Sequence, residues 1–169
     1  MDSAGGYLRK YVNEKIGFIK KRLPKMPLGF HAHNNLGLAI TNSVEAVRSG
    51  ASMIDGCARG FGAGAGNAQL EVLIAVFNKL GIKTNIDLYR ILDCGDIAEK
   101  HLMKVIPSIS STSIVSGLSG VFSGFIKHVV KHSNKHKVNP RDVFFEPGRR
   151  KAVAGQEDLI LEVIKKMKR

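Results

Sequence analysis

The chain has 169 residues, 44% hydrophobic and 24% charged, enough for one ordinary domain with a real core. No apolar run approaches the ~18 residues of a membrane span and no signal-peptide pattern opens the chain, so no membrane partner is expected. The formal net charge is +12, concentrated at the two ends, but basic and aromatic residues do not interleave, which argues against nucleic acid as the partner.

Residues 1–6 read Met-Asp-Ser-Ala-Gly-Gly. This looks like the end of a strand running into a loop without its strand, so a fragment of something larger is expected. Residues 7–23 follow as a helix, with Tyr11, Val12, Ile16, Ile19 and Leu23 on an apolar stripe. Pro24 and Pro27 break it, and Met26 to His31 reads as a short buried strand. A helix over 36–49 carries Leu36, Ile40, Val44 and Val47 and stops at Gly50. A second strand is expected over 51–55, then a glycine-rich loop, "GCARGFGAGAG", then a helix opened by Asn67 and carrying Leu70, Leu73, Ile74 and Phe77. Residues 82–84 suggest a weak third strand and 86–105 another helix. Strand, helix, strand, helix with short connections is the order of a parallel βα architecture.

From Pro107 the composition changes. "PSISSTSIVSGLSG" reads as a Ser/Gly-rich linker. Leu118, Val121, Phe122, Phe125, Ile126, Val129 and Val130 then recur at helical spacing, with Lys127, His128, Lys131 and His132 facing away. A short helical piece follows Asn139-Pro140, and a last helix over about 156–167 sets Leu159, Ile160, Val163, Ile164 and Met167 on one side. The chain therefore divides into residues 1–106, α/β in pattern, and 107–169, a small helical module. Cys57 and Cys94 have no motif spacing, which fits free thiols in a reducing cytoplasm.

Two features carry chemistry. In "GFHAHNNLG", His31 and His33 sit two apart at a strand end, where alternate side chains share a face and two ring nitrogens can converge on one ion. Alone, such a pair more often marks hydrogen-bonded histidines than a metal, and it cannot complete a metal site. In "GFGAGAGNAQLE", small residues allow close backbone approach before a helix start. Asn67 is an ordinary N-cap there, or an amide that reaches a ligand. The loop lacks the Lys-Ser/Thr of a nucleotide P-loop.

Together these motifs resemble the metal-dependent pyruvate-type aldolases and acyl-CoA lyases. "DSAG", "GFHAHNNLGLAITNSVEAVRSGA", "GAGAGNAQLEVLIAV", "DLY", "SGVFSGF" and "AGQEDLI" resemble the second half of the 4-hydroxy-2-oxovalerate aldolase branch over nearly the whole chain. The resemblance implies part of a TIM (β/α)8 barrel, about strands five to eight, followed by the helical module. It implies a lyase that cleaves 4-hydroxy-2-oxovalerate to pyruvate and acetaldehyde. A divalent cation, Mn²⁺ or else Mg²⁺ or Co²⁺, would bind the 2-oxo acid and stabilise the developing charge. His31 and His33 match the metal ligands, Asn67 an asparagine beside the metal, and Ser3 and Phe122 positions facing the substrate.

The resemblance further implies that the module docks on an acylating acetaldehyde dehydrogenase. The family's aspartate ligand, its arginine and its histidine base lie on a segment this chain lacks, so the catalytic groups are expected in a missing N-terminal half and the chain alone is expected to be inactive. Asn34 stands where the aldolase commonly has histidine, and Phe122 where it commonly has tyrosine. Two rivals remain: a related barrel lyase or synthase acting on another 2-oxo acid or acyl-CoA, and a non-catalytic module that binds a dehydrogenase.

Overall fold

Apolar residues at three- and four-residue spacing dominate the chain, and the structure is mostly helical. The computed structural model describes residues 1–168 and among them holds nine helices and one two-stranded parallel sheet. In order these are α1 (Arg9–Arg22), β1 (Gly29–His31), α2 (Ala39–Arg48), β2 (Met53–Asp55), α3 (Leu70–Lys79), α4 (Leu88–Leu102), α5 (Ser111–Ser119), α6 (Phe125–His136), α7 (Pro140–Val143), α8 (Phe145–Arg149) and α9 (Asp158–Met167). A single 3-10 turn, Ala58–Gly60, lies in the glycine-rich loop.

The sheet is a βαβ unit: β1 and β2 pair in parallel, with Gly29 opposite Met53, Phe30 opposite Ile54 and His31 opposite Asp55, and α2 crosses between them. Asp2 adds one rung beside Ala32, its N–H donating to the His31 carbonyl at 2.9 Å. Val12 and Ile16 of α1 pack with Phe30, Ala32, Ala39, Ala46 and Ala68 beneath this unit, and Val44, Leu73 and Phe77 join α2 to α3. A separate core lies in residues 121–164, where Val121, Phe125, Val129, Val143, Phe144, Ile160 and Ile164 are almost wholly buried. No helix among the described residues is long and apolar enough to cross a membrane.

Four expectations are corrected. Residues 82–84 form no strand; they are loop between α3 and α4. The Ser-rich "linker" contains α5, because Ser110 and Ser113 form a reciprocal capping box that starts a helix within it. The apolar stripe expected from Leu118 to Val130 is not one helix: α5 stops at Gly120 and α6 begins at Phe125, so Leu118 is left 67% exposed. Asn67 is not the cap of α3, since its backbone pairs with His33 and the helix starts at Leu70 after Gln69.

Candidate functional site

β1 ends at His31, and the chain stays extended through Ala32 and His33. The alternation of extended backbone therefore sets both imidazoles on one side, with ring centroids 5.2 Å apart and planes at 69°. Neighbouring segments hold this stretch on both flanks. The His33 N–H donates to the Asp2 carbonyl at 3.3 Å, and the Ala68 N–H to the Ala32 carbonyl at 3.0 Å. Asn67 forms an antiparallel bridge with His33. The glycine-rich loop can come this close because glycine stands at the tight points: at Gly66, φ is +87° and a Cβ would run into the Gly60 carbonyl.

The Asn67 side chain is fixed by its nitrogen, which donates to the Phe61 carbonyl at 2.9 Å and to Cys57 Sγ at 3.2 Å. That leaves Oδ1 without a partner. Four buried side-chain polar atoms among the described residues lack a hydrogen bond, and two of them, His33 Nδ1 and Asn67 Oδ1, belong to this pair of bridged residues. An orphaned buried acceptor costs about 1–3 kcal/mol, and two fall on this one pair of bridged residues.

Burial lowers the His33 pKa and the neighbouring His31 lowers it further, against the opposing pull of the Ala63 backbone and the Asp2 carboxylate. His33 is thereby favoured as neutral imidazole, the form with a lone pair to give. Asp2 is itself buried, which raises its pKa, although the N–H groups of Tyr7 (2.9 Å) and Gly6 (3.0 Å) and the charge of His33 work against that rise. Asp55, opposite His31 across the sheet, brings Oδ2 to 3.6 Å from His31 Nδ1.

Of the residues singled out from the sequence, His31, His33 and Asn67 come together at the end of β1. Ser3 lies on the adjoining loop, where its carbonyl accepts the Ser123 N–H at 3.0 Å and the Ser123 hydroxyl at 3.1 Å. Phe122 is next to Ser123 in the chain, but its ring packs on the helical core, edge-on to Phe125 at 6.2 Å. Asn34 Oδ1 accepts the N–H of Ala39, the first residue of α2, at 3.2 Å. Among the described residues no group of three or more His, Cys, Asp or Glu side chains could hold a metal ion. Two imidazoles and an amide oxygen fit part of a divalent site and leave the rest of the coordination to other ligands.

Sequence reasoning passed over Asn35, which is wholly buried, and Arg59, which meets Glu71, Asp96 and Glu99. The doubled asparagine after the histidines was the only local signal for the first. Nothing local marks the second.

The HMGL-like family model matches residues 1–97, and a model described as a DmpG-like communication domain matches residues 107–169. The chain is 60% identical over 168 residues to the 4-hydroxy-2-oxovalerate aldolase of Spirochaeta aurantia, covering 99% of this chain and 49% of that protein. It is 61% identical to the protein of the same name from Pectobacterium atrosepticum, over 96% of this chain and 47% of the relative. The chain thus spans about half the length of the curated relatives it matches. Among solved structures, the N-terminal domain of a candidate aldolase from Bacteroides vulgatus superposes with a TM-score of 0.66 at 29% identity, over 79% of this chain and 44% of that one.

Proposed function

The chain belongs to the HMGL-like family, and on that premise we propose that it supplies half of the site of a divalent-metal-dependent carbon–carbon lyase that cleaves 4-hydroxy-2-oxovalerate to pyruvate and acetaldehyde. Identity of 58–61% to three relatives that carry that aldolase's name supports the substrate. One observation carries the site: the unpartnered His33 Nδ1 and Asn67 Oδ1 beside His31 at the end of β1. His31 and His33 would hold the cation, Mn²⁺ being the first choice, with Asn67 beside it. When bound, the cation supplies Lewis-acid stabilisation of the negative charge that develops on the 2-oxo acid.

The chain's own residues do the rest of what this half can do. Burial lowers the His33 pKa and so favours the neutral ring, and the His33 backbone is held between Asp2 and Asn67. Asp55 faces His31 from the neighbouring strand and biases the orientation of that ring. Ser3, on the loop beside β1, faces the bound acid in this reading, and Phe122 contributes packing in place of a hydroxyl.

Residues 1–106 then form about strands five to eight of a TIM barrel, and 107–169 a module that docks on an acylating acetaldehyde dehydrogenase; the communication-domain match supports the second part. The free thiols of Cys57 and Cys94 fit the cytoplasm. The aspartate, arginine and base of the reaction belong to a complementary N-terminal half. The test is a retro-aldol assay with 4-hydroxy-2-oxopentanoate and Mn²⁺, read as pyruvate. Activity is expected only when the chain is combined with that half, and His33→Ala should reduce it at least about a hundredfold. Full activity of His33→Ala in the assembled pair would refute the assignment.

A further inference from the structure

The helices of residues 1–106 pack against one another, and those of 107–168 against one another. The front region's loops tie the two together, by close packing of Gly6, Asn35 and Leu36 on Gly117 of α5 and by hydrogen bonds. Among the described residues every hydrogen bond between them involves one side chain or backbone group, that of Ser123. Its N–H donates to the Ser3 carbonyl at 3.0 Å, its hydroxyl donates to the same carbonyl at 3.1 Å, and its Oγ accepts Asn35 Nδ2 at 2.8 Å.

Asn35 extends this link to the glycine loop. Its nitrogen donates a second time to the Ala4 carbonyl at 2.9 Å, and its Oδ1 accepts the Ala65 N–H at 2.9 Å. The amide is thus fully used, with both protons and its oxygen committed. The donors run head to tail, from the Ala65 N–H through the Asn35 amide and the Ser123 hydroxyl to the Ser3 carbonyl. Each bond in such a chain polarises the next. Asn35 and Ser123 are both buried to 1% exposure or less, so water cannot substitute for either. Packing reinforces the link at Gly64, where φ is +68° and a Cβ would stand 2.5 Å from Asn35 Oδ1. A groove of about 520 Å³ opens between Phe61–Gly64 and Ser123–Lys127, directly over the joint.

We propose that the Asn35–Ser123 pair is the joint through which the C-terminal module and the loop carrying Asn67 move as one, with Asn35 as a positioning residue for that loop. Displacement of the module reaches Asn67 two residues beyond Ala65, and displacement of the loop reaches the module by the same bonds, since coupling of this kind is reciprocal. The joint is mechanical and depends on neither the metal nor the substrate.

Amide hydrogen exchange on the chain tests it. Ser123→Ala removes the hydroxyl and leaves the module core in place. Ser116→Ala is the matched control, because Ser116 is equally buried and its hydroxyl donates to the Val121 carbonyl within the module. Rates are read relative to the Leu73 and Val129 amides, which cancels any change in overall stability. Ser123→Ala should speed exchange at Ala65 about tenfold or more, and Ser116→Ala should not. No acceleration at Ala65, or the same acceleration in both variants, overturns the proposal. The unsubstituted chain gives an independent reading. The Ala65 and Ser123 amides should open with one shared denaturant dependence, and separate dependences overturn the joint without any variant having to fold.

Discussion

In the module, Phe125, Val143, Phe144 and Ile160 have no exposed surface, and four helices converge on them. In residues 1–106, Phe18 is 56% exposed, Tyr89 78% and Val105 80%, and a groove of about 520 Å³ runs along Val12, Ile16, Ile19 and Phe30. Both regions have well-formed helices, so the contrast is not one of local structure. It lies in closure: the module's helices bury one another's stripes, whereas α1 buries Val12 and Ile16 against α2 and β1 and leaves Tyr11 and Phe18 outside. The apolar surface that Phe18 and Ile19 present along that groove marks a face made to be covered. The proposed half-barrel accounts for it, because a parallel βα sheet is stable with neighbours on both edges.

The largest expected effect turns on that contrast. Phe144→Ala removes a ring with no exposure from the module core and should cost about 3–5 kcal/mol. Phe18→Ala removes a half-exposed ring whose one notable contact is Arg22, stacked 3.6 Å from its centroid, and should cost under about 1 kcal/mol. Urea denaturation of both variants gives the comparison. Equal losses would mean that the front region's apolar surface is covered in solution and that the two regions do not differ.

How much of this was legible in the sequence depended on range. The His31/His33 pair was readable because strand alternation is local, and the stripe of α9 because Ile160, Val163 and Ile164 follow one helix face. The error at Leu118–Val130 had the same root: the periodicity runs on through Gly120, and nothing within one turn says that Leu118 faces solvent while Val121 faces the core. Asn67 looked like a cap because a helix follows, yet its backbone partner, His33, lies on another element. Asn35 and Arg59 were missed for the same reason. Their partners, Ser123 for the one and Asp96 and Glu99 for the other, are fixed only by the fold.

Arg59 gives the next prediction, and it concerns the front region alone. It stands at φ +49°, a conformation that favours glycine, and holds the loop to α3 and α4. Its Nη1 lies 3.3 Å from the buried Glu71, its Nε 2.9 Å from Glu99, and its Nη2 pairs with Asp96. Arg59→Ala leaves Glu71 buried with fewer partners and should cost about 2–3 kcal/mol. Arg59→Gly loses the same ion pairs but relieves the backbone, so it should be about 1 kcal/mol less damaging than the alanine variant. If alanine and glycine are equivalent in urea midpoint, the positive φ stores no strain and the loop is shaped by the ion pairs alone.

The smallest effect separates surface electrostatics from packing as the link between α1 and α2. Glu45 is buried, which alone would raise its pKa, but hydrogen bonds from Arg9 at 2.6 Å and Asn13 at 3.1 Å outweigh burial and hold it below its ordinary value. A carboxylate whose folded pKa is depressed adds stability that is fully present above its unfolded value, about 4.5 here, and that disappears as pH falls through the lower folded value. Arg9 is 67% exposed, so solvent screens the pair and the contribution is a few tenths of a kcal/mol. Glu45→Gln removes the titration, so the unsubstituted chain should lose a few tenths of a kcal/mol more than the variant between about pH 5 and pH 3. Parallel pH profiles would leave the α1–α2 contact to packing, with the buried Val12, Ile16 and Ala46 at its centre.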